Sequence, residues 1–503
     1  MANLTEKAAI VSLGNILRRI SLFLSGILVV RFLTQTQLGS FRQVNLVFNL
    51  CSMALLFGIP NSVYFFIPKA REDEQRGILT QTYFTLFIFG ILSAIGVFWA
   101  APLIASVFNN PQLPSLLRTY APYLAFSLPM ASFFAVMMSL KNSIKASIVR
   151  IGVTLTQILA TLIPVLLGCS LRTVFITMLV VNSCVSIAAV WFSIHLSPEG
   201  SFRSPKGFAL QQIKFSLPFG IGTIVSYLSK EIDKLFISTF FSVTQFAVYS
   251  VGALELPITS YFASAITTVL LPEFVQLFEK NKIEEIIQTW KESRRKLALI
   301  TFPIIFWLFF ISPEFLTFVY GNNYAEAVPI LQIYILIPLL ENFASRGILH
   351  AKGKTQLILY ASLVTFFSNI VLNYVFIHLL AEKGPPVATV IAIMLTEIYI
   401  FIKVSHELNI SWTAIFPWKE YQKISVACFL GGIPSFLLRI FHLFEQSELS
   451  FLLVTSIFFG IIVGGSYLLV ILKQHDVELV GKYVNRLPGG KGLIHRILML
   501  RMK

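Results

Sequence analysis

The chain has 503 residues, 56% of them hydrophobic and only 13% charged, with a formal net charge of +15. Soluble domains carry about 25% charged residues, so a water-soluble core cannot hide this much apolar surface. The positive excess argues for a membrane surface and against nucleic acid, because it falls on alternate loops and no aromatic-interleaved basic module is present.

Apolar runs of roughly 20 residues, the length a ~30 Å hydrocarbon layer requires, recur from about residue 10 to about residue 472. About fourteen are expected, and no strand-like alternation favours a barrel. The first run follows Lys7 and is interrupted by Arg18 and Arg19. That pair is foreign to a signal-peptide core, so the first helix is expected to be retained. Lys69, Arg71 and Arg76, then Lys141, Lys145 and Arg150, then Arg203, Lys206 and Lys214, then Lys291, Arg294, Arg295 and Lys296 mark the loops on one side. The positive-inside rule makes that side cytoplasmic, with both termini there and the basic surface facing anionic lipid headgroups. Cys51, Cys169, Cys184 and Cys428 show no C-x-x-C spacing, so neither a disulfide framework nor a thiolate metal site is expected.

An internal repeat organises the runs. FLTQTQLGSF, from Phe32, aligns without a gap on FFSVTQFAVY, from Phe240, at an offset of 208. LKNSIKASIV, from Leu140, aligns on LHAKGKTQLI, from Leu349, at an offset of 209 that superimposes Lys145 on Lys354. The expected fold is an all-α polytopic membrane protein of about fourteen helices. Residues 1–197 and 215–404 form two six-helix lobes related as a parallel repeat, and 198–214 is a Pro-, Gly- and Ser-containing cytoplasmic linker. Two further helices over 405–472 and a basic cytoplasmic tail over 473–503 complete it. Within the second lobe, Ile283, Ile286, Ile287 and Trp290 fall on one helical face, so 273–296 is expected to be an amphipathic helix in the inner interface.

Catalytic signatures are weak. KGKT, Lys352–Thr355, lacks the glycine spacing of a phosphate loop and follows a membrane helix rather than a strand. GIG, Gly220–Gly222, lacks the third glycine of a dinucleotide turn. The seven histidines show no ligand pairing, so no metal, no cofactor and no enzymatic activity are expected.

Charge inside the apolar runs is the informative feature, since it is costly there and has to face a partner or a cavity. Arg18, Arg19 and Arg31 stand in the first run, and Lys230, Glu231, Asp233 and Lys234 in the seventh. Glu341 and Arg346 stand in the tenth, Glu255 in the eighth and Glu397 in the twelfth. One reading makes Arg18, Arg19, Arg31, Lys230 and Lys234 a cationic cavity wall able to hold phosphate. Asp233, Glu231, Glu255, Glu341 and Arg346 are then coupling or gating groups. The competing reading is internal ion pairing, Lys230 with Asp233 and Arg346 with Glu341.

Three stretches resemble polysaccharide biosynthesis (Wzx-type) flippases of the multidrug/oligosaccharidyl-lipid/polysaccharide exporter superfamily. KFSLPFGIGTIVSYLSKEIDKLFISTFFSVTQFAVYSVGALELP, Lys214–Pro257, resembles their helix 7–8 hairpin. FVYGNNYAEAVPILQIYIL, Phe318–Leu336, resembles their G-x-x-Y-x-x-A segment. LHAKGKTQLILYASLVTFFSNIVLNYVFI, Leu349–Ile377, resembles their loop lysines followed by a helix bearing Asn369 and Asn373. The resemblance implies a flippase of the bacterial cytoplasmic membrane that moves a polyprenyl-diphosphate-linked oligosaccharide to the outer leaflet by alternating access. Polysaccharide polymerases and glycosyltransferases are the implied partners beside membrane lipids, and a proton, a cation or the membrane potential the implied drive. A cation-coupled multidrug exporter and a peptidoglycan-precursor flippase of the same superfamily are the alternatives.

Overall fold

A computed structural model describes residues 4–468 except 255–256, 344, 412–414 and 444–446. Glu255 and the 473–503 tail lie outside the described residues. Among those described, the chain is helical throughout and contains no strand. Eight helical segments are long and apolar enough to cross a membrane, or ten if each of two sharply bent pairs is one span. The count falls below fourteen partly because consecutive helices merge: 355–408 qualifies as a single stretch of 54 residues, more than twice what one crossing needs. The helices at Leu4–Phe32 and Phe208–Phe240, where charges cluster, are not among the ten.

The chain divides into two compact units, one holding 1–251 with 362–389 and the other 252–361 with 390–503. The first contains α1 (Leu4–Phe32), α2 (Gln35–Leu56), α3 (Ile59–Lys69), α4 (Glu72–Val107), α5 (Leu113–Tyr120), α6 (Tyr123–Ser139), α7 (Ser143–Leu166), α8 (Leu171–His195), α9 (Phe208–Phe240) and α10 (Val243–Gly252). The second contains α11 (Pro257–Glu279), α12 (Ile283–Phe310), α13 (Ser312–Tyr320), α14 (Val328–Tyr334), α15 (Leu336–Glu341) and α16 (Arg346–Ala351). The chain then passes through α17 (Thr355–Leu380) into the first unit and back through α18 (Gly384–Leu408), before α19 (Trp418–Ile440) and α20 (Glu448–Ser466).

The sequence repeat has a local chemical meaning. Thr34 caps α2: its hydroxyl accepts from the Gln37 amide at 3.3 Å, and its own N–H donates to the Gln37 side chain at 3.0 Å. Ser242 does the same before α10, with 3.3 Å and 2.9 Å to Gln245. Both are S/T-x-x-Q capping boxes, which satisfy two orphan donors reciprocally. The copies also touch, because a Cβ on Gly39 would lie 2.1 Å from the Val243 carbonyl oxygen.

The second pair of matched stretches begins at two similar helix ends. Helix α6 ends with Lys141 at φ 59° and α16 with Gly353 at φ 75°. Around each, three successive amides bond back four, three and five residues, from Leu140, Lys141 and Asn142 in one copy and Lys352, Gly353 and Lys354 in the other. This is a left-handed Schellman end. The two helix ends thus share one geometry, with Lys141 and Gly353 in the left-handed position.

The segment 273–296 is not a separate interfacial helix. It is the end of α11, a turn, and the start of α12, which continues unbroken to Phe310. Its apolar face is internal: Ile286 and Trp290 are fully buried with Phe274, Phe302 and Tyr421 in the core of the second unit.

Candidate functional site

In the first unit, α9 is a polar spine in apolar surroundings. Near its start, the buried Gln212 amide donates to Ser62 on α3 at 3.0 Å and to Thr82 on α4 at 3.0 Å. Near its end, Ser238 accepts from the Gln43 amide of α2 at 2.8 Å. Gln43 in turn accepts from Asn110 at 2.6 Å, and Asn110 also donates to Ser40 at 2.9 Å. Between these contacts the backbones close. Helices α2 and α3 break at Phe57 and Gly58, both with positive φ, and Pro60 follows in the first turn of α3. Gly220 sits in that notch, where an added Cβ would lie 2.4 Å from the Phe57 carbonyl carbon. Gly220 thus serves close helix packing, while a Cβ added to Gly222 would meet nothing within 4 Å.

Further along α9, the Ser229 carbonyl accepts from the Asn369 amide at 2.8 Å, and Asn373 donates to the Asn369 side chain at 2.6 Å. The two asparagines of the family-like stretch therefore pin α17 onto α9. Asp233 is fully buried and accepts from the Tyr249 hydroxyl at 2.6 Å. Lys234 pairs with Glu231 at 2.9 Å, and Lys230 is exposed. The partner seen for Asp233 is thus a tyrosine rather than Lys230. Arg18 is half-buried and Arg19 and Arg31 are exposed on α1, which packs along α7. Arg31 lies in the last turn of α1, where a cation complements the helix dipole. Lys230 and Lys234 stand on α9, which packs along α2 and α3.

In the second unit, charge concentrates around a broken helix. Pro338 has no N–H for the Tyr334 carbonyl, and the helix breaks at Ile335 between α14 and α15. It breaks again after Glu341, and α16 restarts at Arg346. Arg346 donates to Glu397 of α18 at 2.7 Å. The carboxylate side of this pair is 5% exposed and the guanidinium side 46%. Glu341 and Arg294 lie within electrostatic range of Glu397. Arg294 is buried, with its guanidinium carbon 3.9 Å from the centre of the Trp290 ring, a cation–π geometry. Neutral groups brace the break: Asn342 accepts from Thr301 at 3.1 Å through its side chain and from Tyr421 at 3.1 Å through its carbonyl. Discontinuous helices lined by charge are the usual form of a transporter's ligand or ion site.

Sequence reasoning named Arg346 and Glu341 and offered them as one possible pair, whereas the acid found on Arg346 is Glu397, and it left Arg294 among loop cations. The signal for Glu397 was present, as an acid within an apolar run. Its partner lies 51 residues away in sequence, which no local periodicity reveals. Gln43, Asn110 and Gln212 went unnoticed, being neutral. The KGKT lysines are occupied, with Lys352 3.0 Å and Lys354 3.2 Å from the Glu407 carboxylate. Among the described residues, no group of three or more His, Cys, Asp or Glu is placed to hold a metal.

This fold is that of the multidrug and lipid-flippase exporters. The chain superposes on a lipid II flippase, MurJ, in an inward closed conformation with a TM-score of 0.69 at 18% identity, covering 91% of this chain and 98% of that one. It superposes on an inward-facing multidrug-resistance MATE family transporter of the MOP superfamily with a TM-score of 0.61 at 14% identity, covering 78% and 94%. A family model described as "Polysaccharide biosynthesis protein" matches residues 28–329, and the chain belongs to that family. It is 24% identical over 345 residues to the lipopolysaccharide biosynthesis protein WzxC of Escherichia coli (strain K12), covering 65% of this chain and 64% of WzxC. It is 22% identical over 303 residues to the teichuronic acid biosynthesis protein TuaB of Bacillus subtilis (strain 168), covering 58% and 60%. The alignments thus span less than two thirds of these relatives' lengths.

Proposed function

We propose that the protein moves a polyprenyl-diphosphate-linked oligosaccharide from the inner to the outer leaflet of the bacterial cytoplasmic membrane by alternating access, with both termini cytoplasmic. The observation that carries this reading is the family match over 28–329, on a fold shared with lipid flippases. The chemistry supports it. A sugar diphosphate does not cross hydrocarbon unaided, whereas its prenyl tail remains in the bilayer. Cations on α1 and α9, Arg18, Arg19, Arg31, Lys230 and Lys234, suit the diphosphate. No covalent step and no bound cofactor enter the proposal, and polymerases and glycosyltransferases are its partners. The drive is a proton, a cation or the membrane potential, which supplies about 2.3 kcal/mol per charge per 100 mV. Asp233 and Glu397, carboxylates buried in apolar helices, are the groups suited to respond.

A peptidoglycan precursor is the second substrate, favoured by the superposition on the lipid II flippase over 91% of the chain. The test is transbilayer movement in proteoliposomes. Labelled polyprenyl-diphosphate oligosaccharide and lipid II are offered separately to wild type, Arg18→Ala/Arg19→Ala and Lys230→Ala. Movement of the oligosaccharide lipid, lost in folded variants, supports both the function and the cationic site. Movement of lipid II alone selects the second reading. Proton-coupled uptake of organic cations with no lipid movement overturns both.

A further inference from the structure

The second unit holds a cavity of about 1140 Å³ lined by α11, α12 and the start of α19. We propose that it binds an anionic phospholipid as a resident lipid, separate from any transported substrate. Charge sets the headgroup. The lining contains Lys291, Arg295, Lys296 and Lys419 against Glu292 and Glu420, a cationic surplus of two (4 − 2). Arg295 is fully buried and forks onto Glu292 at 2.7 and 3.2 Å. That pair cancels internally, so the surplus rests on the three lysines. Lys296 is 3.9 Å from Glu292, beyond a tight ion pair.

The apolar wall sets the rest of the ligand. Ile266, Val269 and Leu270 fall at i, i+3 and i+4 on α11 and line the same cavity, and Val269 is 72% exposed. The level along the helices agrees. On α12, charges stop at Lys296 and the helix runs uncharged from Leu297 to Phe310. On α19, charges stop at Lys423 and the helix runs uncharged until Arg439. Trp418, also in the lining, is of the residue type enriched at headgroup depth. Lysines at the polar end of an apolar stripe match a phosphate with an acyl chain beneath it, and suit neither a free anion nor a neutral detergent.

The test uses the full-length protein in mixed micelles titrated with fluorescent phosphatidylglycerol. The variant Lys291→Gln/Lys296→Gln/Lys419→Gln leaves the Arg295–Glu292 pair in place. Each basic residue near a lipid surface strengthens binding about fivefold, so the triple variant is expected to lose about a hundredfold. The control Lys206→Gln/Lys280→Gln/Lys282→Gln removes the same charge from exposed positions outside the cavity and is expected to bind as wild type. Phosphatidylcholine is expected to bind weakly and equally to all three proteins. Equal losses in both triple variants would overturn the proposal in favour of general surface charge. Competition by millimolar inorganic phosphate would make the cavity a free-anion site and overturn it too. Displacement of phosphatidylglycerol by polyprenyl diphosphate at equimolar amounts would assign the cavity to the substrate path instead.

Discussion

Both units bury polar groups among apolar helices, but they do so with different chemistry. Along α9 the groups are mainly neutral amides and hydroxyls, Gln43, Asn110, Gln212, Ser62, Thr82 and Ser238, and the buried Asp233 carboxylate is met there by the neutral Tyr249 hydroxyl. Around the broken helix of the second unit the buried ions are Arg294 and Glu397, the latter paired with the half-exposed Arg346. Neutral hydrogen bonds in a membrane protein are worth about 0.6 kcal/mol each on average, so a contact built from them is held yet opens cheaply. Ions at that depth cost several kcal/mol unless paired, so a cluster of them is kept together or rearranges as a unit. In this chain the contacts α9 makes with α2, α3 and α4 are the inexpensive kind, and the break at 342–346 is the costly kind.

The sharpest way to break that contrast is to unpair the ions. Arg346→Leu leaves the buried Glu397 carboxylate without its 2.7 Å partner, and loss of one member of a buried pair costs about 3–5 kcal/mol. Half the Arg346 side chain is exposed, which places the expected loss at the low end, about 3 kcal/mol. The double variant Arg346→Leu/Glu397→Leu is expected to recover part of it. Unfolding in detergent, run as a double-mutant cycle, checks both. Additive losses would mean the two residues are not coupled and the cluster is no unit.

Next in size is Gly220→Leu. Its Cβ meets the backbone at Phe57, which cannot give way as a flexible side chain would. Overpacking costs about 1–3 kcal/mol, and the α9 notch is expected to lie at the upper end. Gly222, whose added Cβ meets nothing within 4 Å, is the matched control: Gly222→Leu is expected to change the unfolding midpoint little. Equal effects at the two positions would show that close approach at Gly220 is not what holds α9.

Gln212→Leu is smaller again. It removes bonds to Ser62 and Thr82 and leaves two hydroxyls, and Thr82 retains its bond to the Ile78 carbonyl at 2.8 Å. The expected loss is about 1 kcal/mol. A loss as large as that of Arg346→Leu would erase the distinction between neutral and ionic burial.

Much of the architecture was legible because it repeats on a local scale. Helical apolar runs and the S/T-x-x-Q boxes at Thr34 and Ser242 are short-range patterns, and both are seen in the fold. The partners of buried groups were not legible. Arg346 has an acid five residues before it and another 51 residues after it, and only packing of α16 on α18 selects the second. Gln43 and Gln212 resemble ordinary interface residues, since nothing local marks an amide that will meet a hydroxyl 195 or 150 positions away. The apolar face of 283–290 was read correctly as a face, but what covers it is the rest of the unit, and periodicity does not distinguish protein from lipid.

The smallest expected effect concerns two left-handed helix ends. Lys141 and Gly353 hold the same left-handed position at the ends of α6 and α16, at φ 59° and 75°. A non-glycine residue there carries a strain of about 1 kcal/mol that glycine avoids. Lys141→Gly is therefore expected to stabilise by up to about 1 kcal/mol, and Gly353→Ala to destabilise by a similar amount. Opposite signs for the two substitutions, read from unfolding midpoints, would show that backbone strain governs both helix ends. Destabilisation by both would mean that the Lys141 side chain contributes more than its strained backbone costs, and the two helix ends would then match in geometry but not in energetics.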